Sequence, residues 1–154
     1  MKTRNYYMAL KISLVVIFLS MVSIAKSQEG TLTVISNQQG APAILKYSEL
    51  RSILMAEKQR WRNGSKILIA LMKTNTATGK ITSEKIYDMS GDELNKFWLA
   101  LVFQGKAPAP AFFNTATELE NFVSQNPGAI GIIDQLAHND NLRTIIIDGK
   151  SRIL

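Results

Sequence analysis

The chain has 154 residues, no cysteine and a single histidine, His138, so thiol catalysis and a histidine-rich zinc site are both excluded. Its formal net charge is +6, but four of its 18 basic residues and none of its 12 acidic residues precede position 28, which leaves 14 basic against 12 acidic residues, a net charge of +2. Because these remaining charges are scattered rather than clustered, we expect no nucleic-acid-binding surface.

Residues 1–27 have the pattern of a secretory signal peptide. A basic segment precedes an apolar run over residues 12–24, and Ala25-Lys26-Ser27 offers small residues at the two positions that signal peptidase recognises. The run is shorter than the roughly 20 apolar residues of a membrane span, although an uncleaved anchor remains the alternative. We therefore predict a periplasmic protein that contacts the membrane only through its signal peptide before cleavage. Residues 28–154 would then form one domain, which is large enough to fold without disulfides.

The first half of this domain is predicted to hold two strands and a short helix. Alternating apolar residues predict a strand over Thr31–Ile35, and Ser48 is a candidate N-cap for the helix. The Asn-Gly pair predicts a turn at Trp61–Gly64. The continuous apolar run Lys66–Met72 is typical of a strand covered on both faces, in a parallel or mixed sheet with flanking helices. The residues that the short helix is predicted to bury are Leu50, Ile53 and Leu54.

Two capping boxes predict helices in the second half. Ser90 and Thr115 are each followed three residues later by a glutamate, Glu93 and Glu118, so that each hydroxyl accepts from the glutamate N–H while the carboxylate accepts from the cap residue. A further helix is predicted over Lys80–Met89. The apolar faces predicted behind the two boxes are Leu94, Phe97, Trp98, Leu101 and Val102, and then Leu119, Phe122 and Val123.

Two more strands complete the predicted domain. Ala129–Ile133 is a short buried strand in which Gly131 is expected to permit close approach of a neighbouring backbone. Arg143–Asp148 is predicted as the final strand. Strands separated by capped helices predict an α/β domain with a mixed sheet flanked by helices.

The best candidate for a ligand site is the loop between the buried strand and the helix predicted at Lys80. Backbone N–H groups at a helix N-terminus, together with hydroxyl and amide donors, form a cradle for an anion. A plain solvated connection also favours these residue types and is the alternative. A nucleotide-binding P-loop is excluded, since Thr74 stands where a glycine is needed and Ile81 where a serine or threonine is needed. The predicted ligand-binding residues are Thr74, Asn75, Thr76, Thr78 and Gly79.

Other polar and aromatic residues suggest no chemistry. Trp61 is interpreted as packing over the sheet rather than as a stacking platform for a ring, and Trp98 as a core residue. His138 is interpreted as a solvated side chain, because nothing in the spacing makes it converge with Asp134 and Asp140 on a metal.

Catalytic groups are also missing from the sequence. There is no Gly-x-Ser-x-Gly elbow, and Glu118 and Glu120 lie on different faces of their helix. We therefore predict that the protein is not an enzyme and that it has no cofactor, no catalytic residue and no metal ligand.

Four short segments follow one another along the domain: Tyr47–Leu54, Arg60–Gly64, Phe97–Trp98 with Phe103–Lys106, and Pro127–Gly131. Their order and spacing resemble the periplasmic phosphate-binding proteins of ABC transporters, with coverage from about Leu32 to Ile147. The transport members of that family clamp their anion between two lobes, whereas this chain is long enough for one. The family's phosphate loop, rich in serine, glycine and threonine, falls on Asn75–Gly79, where hydroxyls and a glycine remain but the usual acidic and serine residues do not.

The resemblance implies a single lobe of a type II periplasmic-binding-protein-like fold. It also implies a solute-binding module that takes phosphate or a similar oxyanion. The alternative is an envelope protein-interaction domain that has kept the lobe and lost the ligand, which predicts an exposed apolar patch where the second lobe of the family would sit.

Overall fold

A computed structural model describes residues 30–154, so the predicted signal peptide lies outside the described residues. The strands are β1 (Thr33–Asn37), β2 (Ile44–Leu45), β3 (Leu68–Met72), β4 (Ala111–Phe113), β5 (Ala129–Ile133), β6 (Leu142–Thr144) and β7 (Ile146–Ile147). The helices are α1 (Tyr47–Leu54), α2 (Ala77–Thr82), α3 (Gly91–Phe103) and α4 (Ala116–Gln125), and a π-helical segment, Ser83–Tyr87, continues α2. No helix in this part of the chain is long and apolar enough to cross a membrane.

Five strands form a mixed sheet in the order β4-β3-β5-β1-β6. β3 is parallel to both of its neighbours, β4 and β5, whereas β1 is antiparallel to β5 and β6. The parallel strands β3, β4 and β5 therefore end at the same edge of the sheet, which we call the carboxyl edge. The predicted buried strand is β3, which lies between β4 and β5 in this sheet. Its continuous apolar run is typical of a strand whose two faces are both covered.

Helices cover both faces of the sheet. Because side chains alternate along a strand, β1 places Val34 in one core and Ile35 in the other. The Val34 core packs against α1 and α3, which contribute Leu50, Ile53, Leu54, Leu94 and Trp98. The Ile35 core packs against α4, which contributes Leu119 and Val123. The predicted mixed sheet with flanking helices is thus confirmed.

Ser48 is not the N-cap of α1, and that prediction is wrong. A helix capped by Ser48 would begin at Glu49, but α1 begins two residues earlier, at Tyr47, and the side chain of its N-cap, Lys46, makes no capping bond. The N–H of Tyr47 instead donates to the carboxylate of Asp148 at 3.3 Å, an acceptor that follows β7. Because this capping carboxylate lies 101 residues away in the sequence, no sequence pattern near the start of α1 predicts it.

The helix predicted over Lys80–Met89 begins earlier than expected, at Ala77, because Thr76 is its N-cap. It ends at Tyr87, since Asp88 adopts the left-handed conformation with φ 58°. Most of the predicted ligand loop is therefore the first turn of α2.

The final predicted strand, Arg143–Asp148, is divided between two sheets. The N–H of Ile145 donates to Val34 O in β1, and the next N–H, that of Ile146, donates to Ala43 O beside β2. The chain thus leaves the large sheet and forms the small parallel pair β2-β7.

The close approach at Gly131 is made by side chains rather than by a backbone. A Cβ atom at this position would lie 2.6 Å from Leu119 Cδ2 and 3.2 Å from Val123 Cγ2. The glycine therefore lets α4 pack closely on the middle of the sheet.

Candidate functional site

The predicted ligand loop lies at the carboxyl edge, directly after β3. Ligands of open α/β sheets bind outside this edge, where helix N-termini meet. Two helices begin here beside the loop: α2 starts within it, and α3 starts against it, since a Cβ on Gly91 would lie 2.9 Å from Thr74 Cβ. The partial positive charges of both helix N-termini therefore lie near residues 74–79.

The hydroxyl of Thr76 holds the first turn of α2 together. It donates to Lys73 O at 2.7 Å and accepts from the N–H of Gly79 at 3.0 Å. Because both partners of this hydroxyl are backbone groups at the two ends of the loop, the Thr76 side chain fixes the shape of the loop.

Thr78 links the loop to the neighbouring strand. Its hydroxyl donates to Asp134 Oδ2 at 2.7 Å, and only 4% of the residue is exposed. Asp134 directly follows β5, which pairs with β3 in the sheet. This bond fixes α2 to the end of β5 and places a carboxylate on the rim of the loop.

Gly79 is required by packing. A Cβ atom at this position would overlap the carbonyl oxygen of Lys73 and lie 2.8 Å from that of Met72. Because these are backbone atoms at the end of β3, they cannot move aside as a flexible side chain would. The absence of a side chain lets the first turn of α2 lie directly on the end of the strand.

Backbone N–H groups remain as the main donors of the loop. Within residues 30–154, the N–H groups of Thr74, Asn75, Ala77 and Thr78 have no protein acceptor. The Thr74 hydroxyl accepts from Asn95 Nδ2 at 3.2 Å and keeps its own proton to donate. The loop and the first turn of α2 therefore hold a group of N–H donors without protein acceptors; Asn75 and Ala77 are exposed, Thr74 is half-buried and Thr78 is buried.

The charges around the loop have both signs. Lys73 follows β3 directly and is exposed, and Lys80 is exposed and lies 4.0 Å from Glu84. Asp134 is the anionic group that contacts the loop itself. An anion at this edge would thus meet backbone donors, nearby lysines and one carboxylate acceptor.

Well-formed cavities of the described residues lie elsewhere in the fold. One, with a volume of about 80 Å³ and mostly apolar walls, lies between the end of α1 and the segment that follows α3. Another, of about 370 Å³, lies beside Trp61. The loop at residues 74–79 lines neither of them, so an anion there would lie outside both cavities.

The interpretation of Trp61 as a packing residue is confirmed. It is 3% exposed, and its Nε1–H donates to Gly128 O at 2.9 Å. Trp98 is likewise 3% exposed and lies in the core.

The interpretation of His138 as a solvated side chain is confirmed, since 70% of the side chain is exposed, and it also makes polar contacts. Its Nδ1 lies 3.6 Å from Glu120 Oε1, while Gln135 Nε2 donates to the same carboxylate oxygen at 3.3 Å. Within residues 30–154, no three acidic or histidine side chains converge on a position that would hold a metal ion.

The sequence analysis did not predict three residues that lie at this candidate site, which are Lys73, Asn95 and Asp134, the last as the partner of Thr78. Lys73 could have been identified from the sequence, because it is a basic residue that directly follows a predicted buried strand. Asn95 and Asp134 lie 21 and 56 residues from their partners, so only the folded chain brings them together.

Solved structures of other proteins share this fold. The chain superposes on an ABC-type phosphate transport receptor from Vibrio cholerae with a TM-score of 0.62 over 80% of its length, at 16% identity. It superposes on a protein from Clostridium perfringens, assigned as a phosphate ABC transporter substrate-binding protein and holding bound phosphate, with a TM-score of 0.58 over 78% of its length, at 14% identity. For PstS from Borrelia burgdorferi the TM-score is 0.55 over 78% of the chain, at 14% identity.

The predicted resemblance is therefore confirmed at the level of the fold. The chain spans about half the length of these receptors, 48%, 46% and 48% respectively. No protein-family profile and no curated protein matches the sequence.

Proposed function

We propose that this chain is an exported solute-binding module that holds phosphate or a similar oxyanion at residues 74–79 and performs no chemistry on it. The observation that carries the proposal is the group of N–H donors at Thr74, Asn75, Ala77 and Thr78, which lack protein acceptors among the described residues. The fold shared with phosphate receptors, one of them with phosphate bound, supports the same ligand class.

The donors suit an oxyanion because its oxygen atoms act as acceptors. Hydrogen bonds from backbone N–H groups to an anion are charge-assisted, and the N-terminus of α2 adds a favourable partial charge. The Thr74 hydroxyl and the exposed Lys73 supply a further donor and a positive charge.

Asp134 favours an oxyanion that carries a proton. A carboxylate repels a fully ionised anion such as sulfate, but it accepts a hydrogen bond from a protonated oxygen. Asp134 already accepts from Thr78 through Oδ2 and has its other oxygen for a ligand. Phosphate retains a proton at pH 7, so we expect it to bind more tightly than sulfate.

The affinity is expected to be modest. An anion at the loop would lie outside the cavities of the described residues and stay in contact with water, which weakens each electrostatic contact. A partner or a further lobe that covered the loop would exclude water and raise the affinity.

Isothermal titration calorimetry of the purified protein with phosphate, and separately with sulfate, tests the proposal. We expect heat with phosphate and a weaker response with sulfate. Thr78→Val, which removes the hydroxyl that fixes Asp134, should weaken phosphate binding about tenfold, and Thr76→Ala should weaken it by loosening the first turn of α2. Thr117→Val, an exposed threonine on α4, is the matched control. No heat with either anion, from a protein shown to be folded, would reject the proposal.

A periplasmic location forms part of this proposal and is supported by the pattern of residues 1–27. Mass spectrometry of protein released from the periplasm by osmotic shock should give a chain that starts near Gln28. Retention of the full-length chain in the membrane fraction would favour the uncleaved anchor instead.

The alternative function, an envelope protein-interaction domain without a ligand, is favoured by a different observation. Three large apolar side chains of α3 are exposed: Leu99, Val102 and Phe103. A protein that gives no heat with anions and yet self-associates or binds an envelope partner would support this alternative.

A further inference from the structure

Helix α3 has apolar residues on two opposite faces. Leu94 and Trp98 face the core and are 2% and 3% exposed. On the opposite face, Leu99 is 58% and Phe103 83% exposed, and Val102, which was predicted to be buried, is 40% exposed beside them. Exposed apolar clusters of this kind mark interaction sites.

The exposed face of α3 has the spacing of a helix-pairing seam. Its four residues on the helix follow one another at intervals of four, three and four, which is the spacing of the contact positions of a coiled coil. The fifth lies past the end of the helix and beyond Gly105, whose φ is +63°, where the N–H of Lys106 donates to Leu101 O; it places a basic residue at that end rather than a further helical position. We call this set the α3 seam, and its members are Asp92, Lys96, Leu99, Phe103 and Lys106.

We propose that the α3 seam is the dimer interface of this protein, paired in antiparallel orientation with the α3 seam of a second copy. With the two-fold axis at Leu99, Asp92 of each copy lies opposite Lys106 of the other, and Lys96 lies opposite Phe103. The apolar residues then occupy the centre, and an acid–base pair closes each end. The stem of Lys96 covers the Phe103 ring and its ammonium group can lie over the ring face.

Charge decides both the partner and the orientation. A parallel pair would place Asp92 against Asp92 and Lys106 against Lys106, and like charges repel. An antiparallel pair joins opposite charges at both ends and also opposes the two helix dipoles. Because one seam supplies both halves of every contact, its complement is a second copy, as a two-fold symmetric interface requires.

The backbone at the basic end of the seam is held in place. Gln59 Nε2 donates to Lys106 O at 2.7 Å, so the residue is anchored beside the helix end while its side chain stays exposed. A seam along a helix of 13 residues is about 20 Å long. Such a contact is smaller than the roughly 800 Å² per partner of a standard interface, so we expect a dissociation constant on the order of 10–100 µM.

Sedimentation velocity of the purified protein over about 5 to 500 µM tests the proposal. We expect a monomer at the low end and a dimer at the high end. Leu99→Asp, which places two carboxylates at the two-fold axis, should abolish the dimer, and Phe103→Ser should weaken it at least tenfold. Leu136→Asp is the matched control, because Leu136 is 56% exposed and lies outside the seam, and it should leave the dimer unchanged.

A charge exchange tests the antiparallel orientation. Asp92→Lys and Lys106→Asp should each weaken the dimer several-fold, and the double variant should restore it, because the opposite charges meet again with their positions exchanged. Circular dichroism of each variant confirms that it is folded. A wild-type protein that stays monomeric at the highest concentration, a dimer that survives Leu99→Asp, or a double variant without recovery would overturn the proposal. So would a different protein bound at this seam while the chain itself stays monomeric.

Discussion

Gly79 shows how a single residue sets the geometry of the candidate site. Its position against the end of β3 brings the N–H groups of α2 to the carboxyl edge, and no other residue fits there without moving backbone atoms. The sequence predicted Gly79 as a ligand-binding residue, whereas its observed contacts give it a packing role that prepares the donors around it. Whether an anion touches it stays a prediction.

Gly79→Ala is expected to destabilise the protein by about 3 kcal/mol, because its methyl group overlaps the Lys73 carbonyl. Gly105→Ala is the matched control: its φ is +63° and nothing lies within 4 Å of the added methyl group, so only the cost of the left-handed conformation, about 1 kcal/mol, applies. Urea unfolding of both variants measures the difference. Equal losses in the free energy of unfolding of the two variants would show that the overlap with the Lys73 carbonyl adds no cost at Gly79.

Tyr87 is a buried residue whose hydroxyl lacks a well-aligned hydrogen-bond partner among residues 30–154. Its hydroxyl and the Trp98 indole N–H are close together in the core, yet neither makes a well-aligned hydrogen bond within residues 30–154. Burial raises the pKa of the Tyr87 hydroxyl, so the group stays protonated at ordinary pH. Tyr87→Phe should therefore change the free energy of unfolding by less than about 0.5 kcal/mol, or increase it slightly, as urea unfolding would show. A loss above about 1.5 kcal/mol would indicate that the hydroxyl is satisfied, for example by a buried water.

At the scale of elements, the sequence was most informative where the cause of a structure is local. Both capping boxes, at Ser90 with Glu93 and at Thr115 with Glu118, are present as predicted, since all of their atoms lie within one turn. The strand Ala129–Ile133 has the predicted bounds. The start of α1 and the division of the last strand could not be predicted, because the first depends on Asp148 and the second on two strands far along the chain.

The Ser90–Glu93 capping box predicts a pH dependence of stability. Hydrogen bonds from the Ser90 backbone N–H, and then from its hydroxyl, hold the pKa of Glu93 below its usual 4.5. A carboxyl with a lower pKa in the folded state contributes stability above the unfolded pKa and loses it as the pH falls through the folded pKa. The melting temperature of the wild type should therefore fall more steeply than that of Glu93→Gln between about pH 5 and pH 3.

Glu84→Gln is a control for the loss of one exposed carboxylate, and its curve should follow that of the wild type. Parallel curves for the wild type and Glu93→Gln would contradict the role given to the capping box.

The whole molecule, with helices on both faces of a mixed sheet, has two candidate functional surfaces. The carboxyl edge holds N–H donors without protein acceptors among residues 30–154, and the α3 seam has an apolar stripe bounded by opposite charges. The sequence indicated the first as a candidate site, because a strand, a loop rich in threonine and a helix follow one another along the chain, and its binding of an anion stays a prediction. It did not locate the second, because Leu99 and Phe103 lie on a helix that is apolar on both sides, and periodicity alone does not show which side is buried.

A phosphate titration of ¹⁵N-labelled protein followed by NMR tests whether the loop donors bind the anion. The backbone N–H signals of Thr74, Asn75, Ala77 and Thr78 should shift together with one binding constant, while signals along α4 stay in place. Smaller shifts are expected with sulfate at the same concentration. Shifts confined to another surface, or no shift at these four residues at saturating phosphate, would contradict the proposed binding.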